Sequence, residues 1–185
     1  DILTTHSVYW PTMLMSAKLP LPLGIFAHGW WLSGESKMSK SLGNVVDPLG
    51  LIEEYGVDPV RYYLMREMVL GQDASFTMES FIKRYNSDLA NDFGNLLSRV
   101  SNLLKKFFDG KIPMDEDNSP EGMVIKENGI KVVSDVWNHI ESMQVNEAIE
   151  TTLQYIRSVN KYMETMAPWK LAKSDKDAAG KVLFT

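Results

Sequence analysis

The spacing of apolar positions changes along the chain, and the change divides it. Ile2, His6, Trp10 and Leu14 recur every four residues, the stripe of a helix that Pro11 would kink. After the stiff turn Leu19-Pro20-Leu21-Pro22 and Gly24, the short apolar run Ile25-Phe26-Ala27 reads as a buried parallel strand that ends in His28-Gly29-Trp30-Trp31. Asp47-Pro48 and Asp58-Pro59 each read as a helix N-cap with proline at the first helical position. The first of these helices should stop at Gly56, and the second carries Val60, Leu64, Met65 and Met68 on one side. The stretch Leu70-Gly71-Gln72-Asp73-Ala74-Ser75-Phe76 breaks it and suits a short strand. From about residue 78 the period is purely helical. Leu89, Phe93, Leu96, Leu97, Val100, Leu103, Leu104 and Phe107 form one stripe, facing a bundle core. A turn-rich, acidic connection at 109–122 leads to a second helix at about 124–143, carrying Ile125, Val132, Val133, Val136, Trp137 and Ile140, with Gly129 as a weak point in its middle. The third helix presents Val145, Ala148, Ile149, Leu153, Ile156, Val159, Met163 and Met166 and ends at Ala167-Pro168-Trp169.

Composition narrows what such a chain can do. Its 185 residues hold one ordinary domain or two small ones, and 44% hydrophobic content is normal for a globular core. No apolar run approaches the roughly 18 residues of a membrane span, and the opening residues have neither a basic start nor a small-residue cleavage site, so a cytoplasmic setting is expected. Cysteine is absent, which removes disulfides, thiolate nucleophiles and the usual structural zinc site. The three histidines, His6, His28 and His139, lie too far apart in sequence to suggest a local metal site, so no metal ligand is expected. A net charge of −5 and a pI near 5.2 argue against a protein that coats nucleic acid nonspecifically, while leaving room for reading a few bases.

The most legible chemistry lies at Ser36-Lys37-Met38-Ser39-Lys40-Ser41-Leu42-Gly43-Asn44. Two ammonium groups three residues apart, three hydroxyls and a hinge-capable glycine on each side, Gly34 and Gly43, suit a mobile loop that grips a polyphosphate. A solvated Lys-Ser turn is the plain alternative. His28 and Gly29 would sit at the carboxyl end of the expected strand, where ligands gather in open α/β sheets, with Gly29 letting a ring approach the backbone. Asn91, Asn95 and Arg99, joined by Asn102, fall opposite the apolar stripe of the long helix. Asparagine is a poor helix former, so this ridge asks for a reason beyond solubility, although an ordinary polar face is the competing reading.

Lys37-Met38-Ser39-Lys40-Ser41 resembles, letter for letter, the second signature of class I aminoacyl-tRNA synthetases, where the loop closes on ATP and stabilises the departing pyrophosphate. Asn44-Val45-Val46-Asp47-Pro48 is shared with leucyl, isoleucyl and valyl enzymes; the stretch from Asn86 to Arg99 and Ala167-Pro168-Trp169 resemble the methionyl branch. The resemblance covers essentially the whole chain. It implies the second half of a Rossmann-like α/β nucleotide fold (1–46), a stem-contact region (47–77) and an all-α anticodon-binding helix bundle (78–185). It implies catalytic roles for Lys40 and Lys37, ATP contacts from His28, Gly29, Lys37, Met38, Ser39, Lys40 and Ser41, and a methionine pocket lined by Ile2, His6 and Trp10. Asn91, Asn95, Arg99, Pro168 and Trp169 would meet the CAU anticodon. The implied reaction takes methionine, ATP with Mg2+, and tRNA(Met). The family's His-Ile-Gly-His signature and its zinc-bearing insert are nowhere in this sequence, so the chain is expected to be the C-terminal portion of a longer ligase, inactive without the N-terminal half of its catalytic domain. An isolated anticodon-binding module, another synthetase of the same subclass and a helical protein with an accidental phosphate loop are the alternatives.

Overall fold

The computed structural model describes residues 2–39, 41 and 43–185. A first helical stretch, α1, runs through Ile2–Thr4, a wide π-helical Thr5–Tyr9 and Trp10–Ser16, and its stripe residues are exposed or half-buried. Pro11 occupies the first turn of the Trp10–Ser16 segment, where its missing N–H costs nothing.

The strand expected at Ile25-Phe26-Ala27 does not form. Ile25 is 41% and Phe26 50% exposed, and among the described residues this run has no ladder partner. The pairing lies a few residues later, in β1 (Trp31–Ser33), which meets β2 (Ser36–Lys37) antiparallel and β3 (Ala74–Phe76) in parallel, in the order β2-β1-β3. Backbone groups set this choice. Trp31 faces Ala74 and Ser33 faces Phe76, so β1 is hydrogen-bonded on both edges, whereas 25–27 joins no described strand.

Between β1 and β3 the chain makes two short helices, α2 (Pro48–Tyr55) and α3 (Val57–Glu67). The Asp47 carboxylate accepts the Leu49 N–H at 3.0 Å, with Pro48 at the first helical position. Asp58 does not repeat this device: α3 starts at Val57, Gly56 occupies its cap, and Asp58 sits inside the first turn. Gly56, at φ 87°, takes the left-handed geometry that ends one helix and opens the next. The core here is aromatic. Tyr63, Phe76 and Phe81 pack edge-on or stacked around Leu51 and Val60, with Trp31 and Met38 against them, which ties the phosphate-loop motif to α3.

The long helix α4 passes through Met78–Arg84, a π-helical Tyr85–Gly94 and Asn95–Phe108. After it come α5 (Pro120–Glu141), α6 (Val145–Met166), α7 (Pro168–Ser174) and α8 (Lys176–Phe184). Ile125, Tyr162, Met163 and Val182 form the bundle core, flanked by Leu96, Val100 and Leu103. Phe93 and Leu97 turn outward instead, at 51% and 58% exposure, because the extra residue per turn in a π segment rotates the stripe. Val133, Trp137 and Ile140, expected in the core, are also exposed, since α5 packs on α6 through its other side.

Gly129 does not interrupt α5. A Cβ there would lie 2.7 Å from the Tyr155 hydroxyl of α6, so glycine lets the two helices approach. The acidic connection is less exposed than its composition suggests. Asp117 is buried; it accepts from Ser119 and from the Tyr162 hydroxyl at 2.9 Å, and Ser119 in turn caps α5 through the Gly122 N–H. Burial and the Asp117 hydrogen bond push the Tyr162 hydroxyl pKa well above the usual tyrosine range.

Candidate functional site

Two concave regions collect most of the residues singled out by sequence. The first is a cleft of about 560 Å³ that brings Ile2, His6 and Trp10 of α1 opposite His28 and Gly29. Apolar walls dominate it, supplied also by Leu3, Ile25 and Phe26. His6 Nδ1 donates to the Ile2 carbonyl at 2.8 Å, since a carbonyl can only accept. His28 repeats the arrangement on Gly29 O at 2.7 Å. Gly29 has a further reason to be glycine: a Cβ would come 2.0 Å from the Gln72 carbonyl oxygen, so the floor of the cleft lies flush on the segment before β3. Trp30 N–H donates to the Asp73 carboxylate at 2.7 Å and its carbonyl accepts from Ala74 at 2.8 Å, which clamps that floor.

The phosphate-loop motif leaves from β2. Lys37 is exposed, and its Nζ stands 3.9 Å from the centroid of the Trp30 ring, a cation–π contact. Ser39 and Ser41 share a hydrogen bond of 2.7 Å between their hydroxyls. Asn44, the last residue of the 36–44 stretch, staples the loop: its Oδ1 accepts the Ser39 N–H at 2.8 Å and its amide donates to the Lys37 carbonyl at 3.2 Å. Gly34 and Gly43, at φ 62° and 65°, adopt the left-handed backbone expected of the hinges. Met38 is turned into the aromatic core. Lys40 lies outside the described residues, as do Asp1 and Leu42. Lys37, Met38, Ser39 and Ser41 do not line the cleft in this structure; they stand beside it, joined through Trp30.

A polar cavity of about 400 Å³ occupies the bundle, and Asn91, Asn95 and Arg99 do line it together. Its opposite wall is α6, through Arg157, Asn160, Lys161 and Glu164. Sequence reading missed these four, although their spacing at i, i+3, i+4 and i+7 on the polar side of α6 is a visible signal. Asn160 donates to the Asp92 carbonyl at 2.9 Å, Arg157 Nε to the Asp92 carboxylate at 2.7 Å, and Arg99 stands 3.7 Å from Glu164. Asn102 turns away and bonds Ser98. Ala167 takes a left-handed φ of 44°, which swings the chain from α6 into α7 and brings the half-buried Trp169 ring 5.1 Å from the Arg99 guanidinium. Pro168 is fully buried, so its part is to stop the helix, and of that pair only Trp169 reaches a surface.

Beneath the cavity lies a buried carboxylate, Asp88. It accepts from the Tyr62 hydroxyl at 2.7 Å and from Ser87 at 2.6 Å, with Arg84 at 3.6 Å and Arg157 at 3.7 Å. Arg66 pairs with Glu150 and approaches Asp88 at 4.0 Å. Burial alone would raise the Asp88 pKa, but the two hydroxyls and the guanidiniums of Arg84 and Arg66 hold it below the usual carboxylate range.

Among the described residues no group of histidines and carboxylates could hold a metal ion, and no helix is long and apolar enough to cross a membrane. A sequence profile of the tRNA synthetases class I (M) matches residues 1–101, and the chain belongs to that family. It is 45% identical over 188 aligned residues to the methionine–tRNA ligase of Clostridium acetobutylicum, covering 100% of this chain and 29% of that one. With the methionine–tRNA ligase of Halalkalibacterium halodurans the identity is 47% over 176 residues, 95% of this chain and 27% of that one. Mycobacterium tuberculosis methionyl-tRNA synthetase in complex with methionyl-adenylate superposes with a TM-score of 0.93 at 39% identity, covering 99% of this chain and 37% of the other. The chain thus spans less than a third of the length of these curated relatives.

Proposed function

We propose that this chain is the C-terminal part of the catalytic domain and the anticodon-binding bundle of a cytoplasmic methionine–tRNA ligase. The observation that carries this reading is the cleft, in which the apolar wall of Ile2, His6 and Trp10 meets His28 and Gly29 with the two-lysine loop beside it. An unbranched thioether is recognised by such walls, which exploit its polarisable sulfur. A nucleotide base lies against the flush backbone at 28–29. A methionine carboxylate oxygen attacks the α-phosphorus of ATP, the bond to the β-phosphate oxygen breaks, and pyrophosphate leaves. Lys40 and Lys37 supply positive charge to that leaving group, and Mg2+ travels with the ATP. In the second step a hydroxyl of the terminal adenosine of tRNA(Met) attacks the carbonyl carbon and AMP leaves.

The polar cavity then reads the CAU anticodon: Asn91, Asn95 and Arg99 meet base edges and Trp169 offers a face for stacking. The sequence lacks the His-Ile-Gly-His signature, and half a nucleotide site cannot preorganise the transition state, so the 185-residue chain alone carries out no methionine-dependent exchange of pyrophosphate into ATP. The test is that exchange, assayed on the purified chain and on the chain joined to the N-terminal half of a related ligase. Activity only in the joined protein is the expected result; exchange by the chain alone, or none after a folded join, overturns the reading.

A further inference from the structure

Two cations of α6 stand at the polar cavity, and their surroundings differ. Arg157 is enclosed by carboxylates: Asp92 at 2.7 Å, Glu150 at 3.2 Å and the buried Asp88 at 3.7 Å. The cluster around it holds four carboxylates, Glu67, Asp88, Asp92 and Glu150, against three guanidiniums, Arg66, Arg84 and Arg157. Asp88, Asp92 and Glu150 stand directly against the Arg157 guanidinium, so an anion approaching it meets no net attraction. Lys161, one turn further on, is exposed and lines the same cavity, and among the described residues its ammonium has neither a carboxylate nor a hydrogen-bond acceptor in reach. Glu164, its nearest acidic neighbour along the helix, faces Arg99 at 3.7 Å.

From this asymmetry we propose a division of labour that rests on the cavity being the base-reading site. Lys161 contacts a backbone phosphate of the single-stranded RNA loop, while Arg157 is a positioning residue that touches no RNA. Arg157 grips Asp92, which sits in the π-helical turn beside Asn91, and Asn160 holds the carbonyl of the same residue. Together they fix the wide turn against α6, so that Asn91, Asn95 and Arg99 face one cavity rather than three directions. A phosphate contact adds affinity without sequence information, and a fixed ridge adds discrimination without adding charge.

The two roles separate by salt dependence. Binding of an anticodon stem-loop bearing CAU, and of single-base variants, is measured across a salt series with the 185-residue chain and its substituted forms. Lys161→Ala is expected to reduce the slope of log affinity against log salt by about 0.7, the increment for one phosphate on a single strand, and to weaken all stem-loops by the same factor. Arg157→Ala is expected to leave the slope unchanged and to reduce the preference for CAU by about fivefold or more. A purely structural loss would lower every affinity together and keep that ratio. If Arg157→Ala does not fold, Arg157→Lys decides: it keeps the charge but not the forked grip on Asp92, so the slope stays and the ratio falls. An unchanged slope in Lys161→Ala, or a slope lowered in the Arg157 variants, overturns the assignment. Equal binding of all stem-loops by the unsubstituted chain overturns the base-reading function instead.

Discussion

The cleft at the amino-terminal end and the cavity in the bundle are held by different physics. The cleft is a backbone construction: Gly29 lies against Gln72, Trp30 is clamped by Asp73 and Ala74, and the apolar side chains around them remain open to solvent. The cavity is a side-chain construction, in which α4 and α6 are cross-linked by Asp92, Arg157 and Asn160 over the buried Asp88. Chemistry that moves a loop over a polyphosphate tolerates sparse support, because the ligand completes the site. Reading the edges of a few bases does not, because discrimination requires donors that stay in place.

The contrast breaks most sharply at Asp88. Asp88→Ala leaves three guanidiniums facing an empty centre and should cost about 3–5 kcal/mol, the scale for removing one partner from a buried ion pair. Urea unfolding of the bundle measures it, and a loss below about 1 kcal/mol would mean the cluster is solvated. The same residue sets a pH dependence. Its carboxyl pKa is lowered on folding, so its stabilisation is present above the ordinary carboxylate value and is lost as pH falls through the lowered one. Asp88→Asn should flatten the acid limb of a stability profile below about pH 4.

In the cleft the corresponding break is chemical. Lys40→Ala in the joined enzyme should slow activation by about a hundredfold or more, the scale of losing one preorganised charge partner, with methionine affinity hardly changed. Weakened methionine binding at an intact rate would make Lys40 a ground-state contact. Trp169→Ala should cost about 1–3 kcal/mol in stem-loop binding, the value of one stacked base, with little effect on which base is chosen. Asp47→Ala removes the cap of α2 and should lower thermal stability by about 1 kcal/mol, with the bundle unaffected. A larger change spreading into the bundle would show that the two regions do not unfold separately.

Periodicity located the bundle helices well, because each buries one face and that face imposes its spacing on the sequence. The third helix, with Ala148, Leu153 and Met163 buried, is the clearest case. It failed where a π segment adds a residue per turn, leaving Phe93 and Leu97 outside, and on α5, whose apolar Val133 and Trp137 are uncovered. The strand at 31–33 was misplaced to 25–27, because an apolar run signals burial while strand formation depends on partners more than forty residues away. Among the candidate residues, Asn91, Asn95 and Arg99 have a spacing distinctive enough in the sequence to be grouped, and they do line one cavity. Arg157, whose contacts come from meeting another helix, and Lys161 beside it carry only a polar spacing in the sequence. The part played by Asn44 is hidden for another reason: its two hydrogen bonds close a loop that sequence can delimit but not shape.

The parallel pairing of β1 with β3 has a consequence for how the protein is made. Everything from residue 34 to residue 73, including the whole phosphate-loop motif and both short helices, lies inside the crossover that the pairing closes. On a ribosome, which adds about 5–20 residues per second, the strand at 31–33 therefore waits seconds for its partner. During that wait neither Gly29 nor Trp30 has the backbone it rests on. The floor of the cleft is complete only once Ala74–Phe76 has emerged, and a pause in synthesis just before that point would leave β1 paired with β2 on one edge alone.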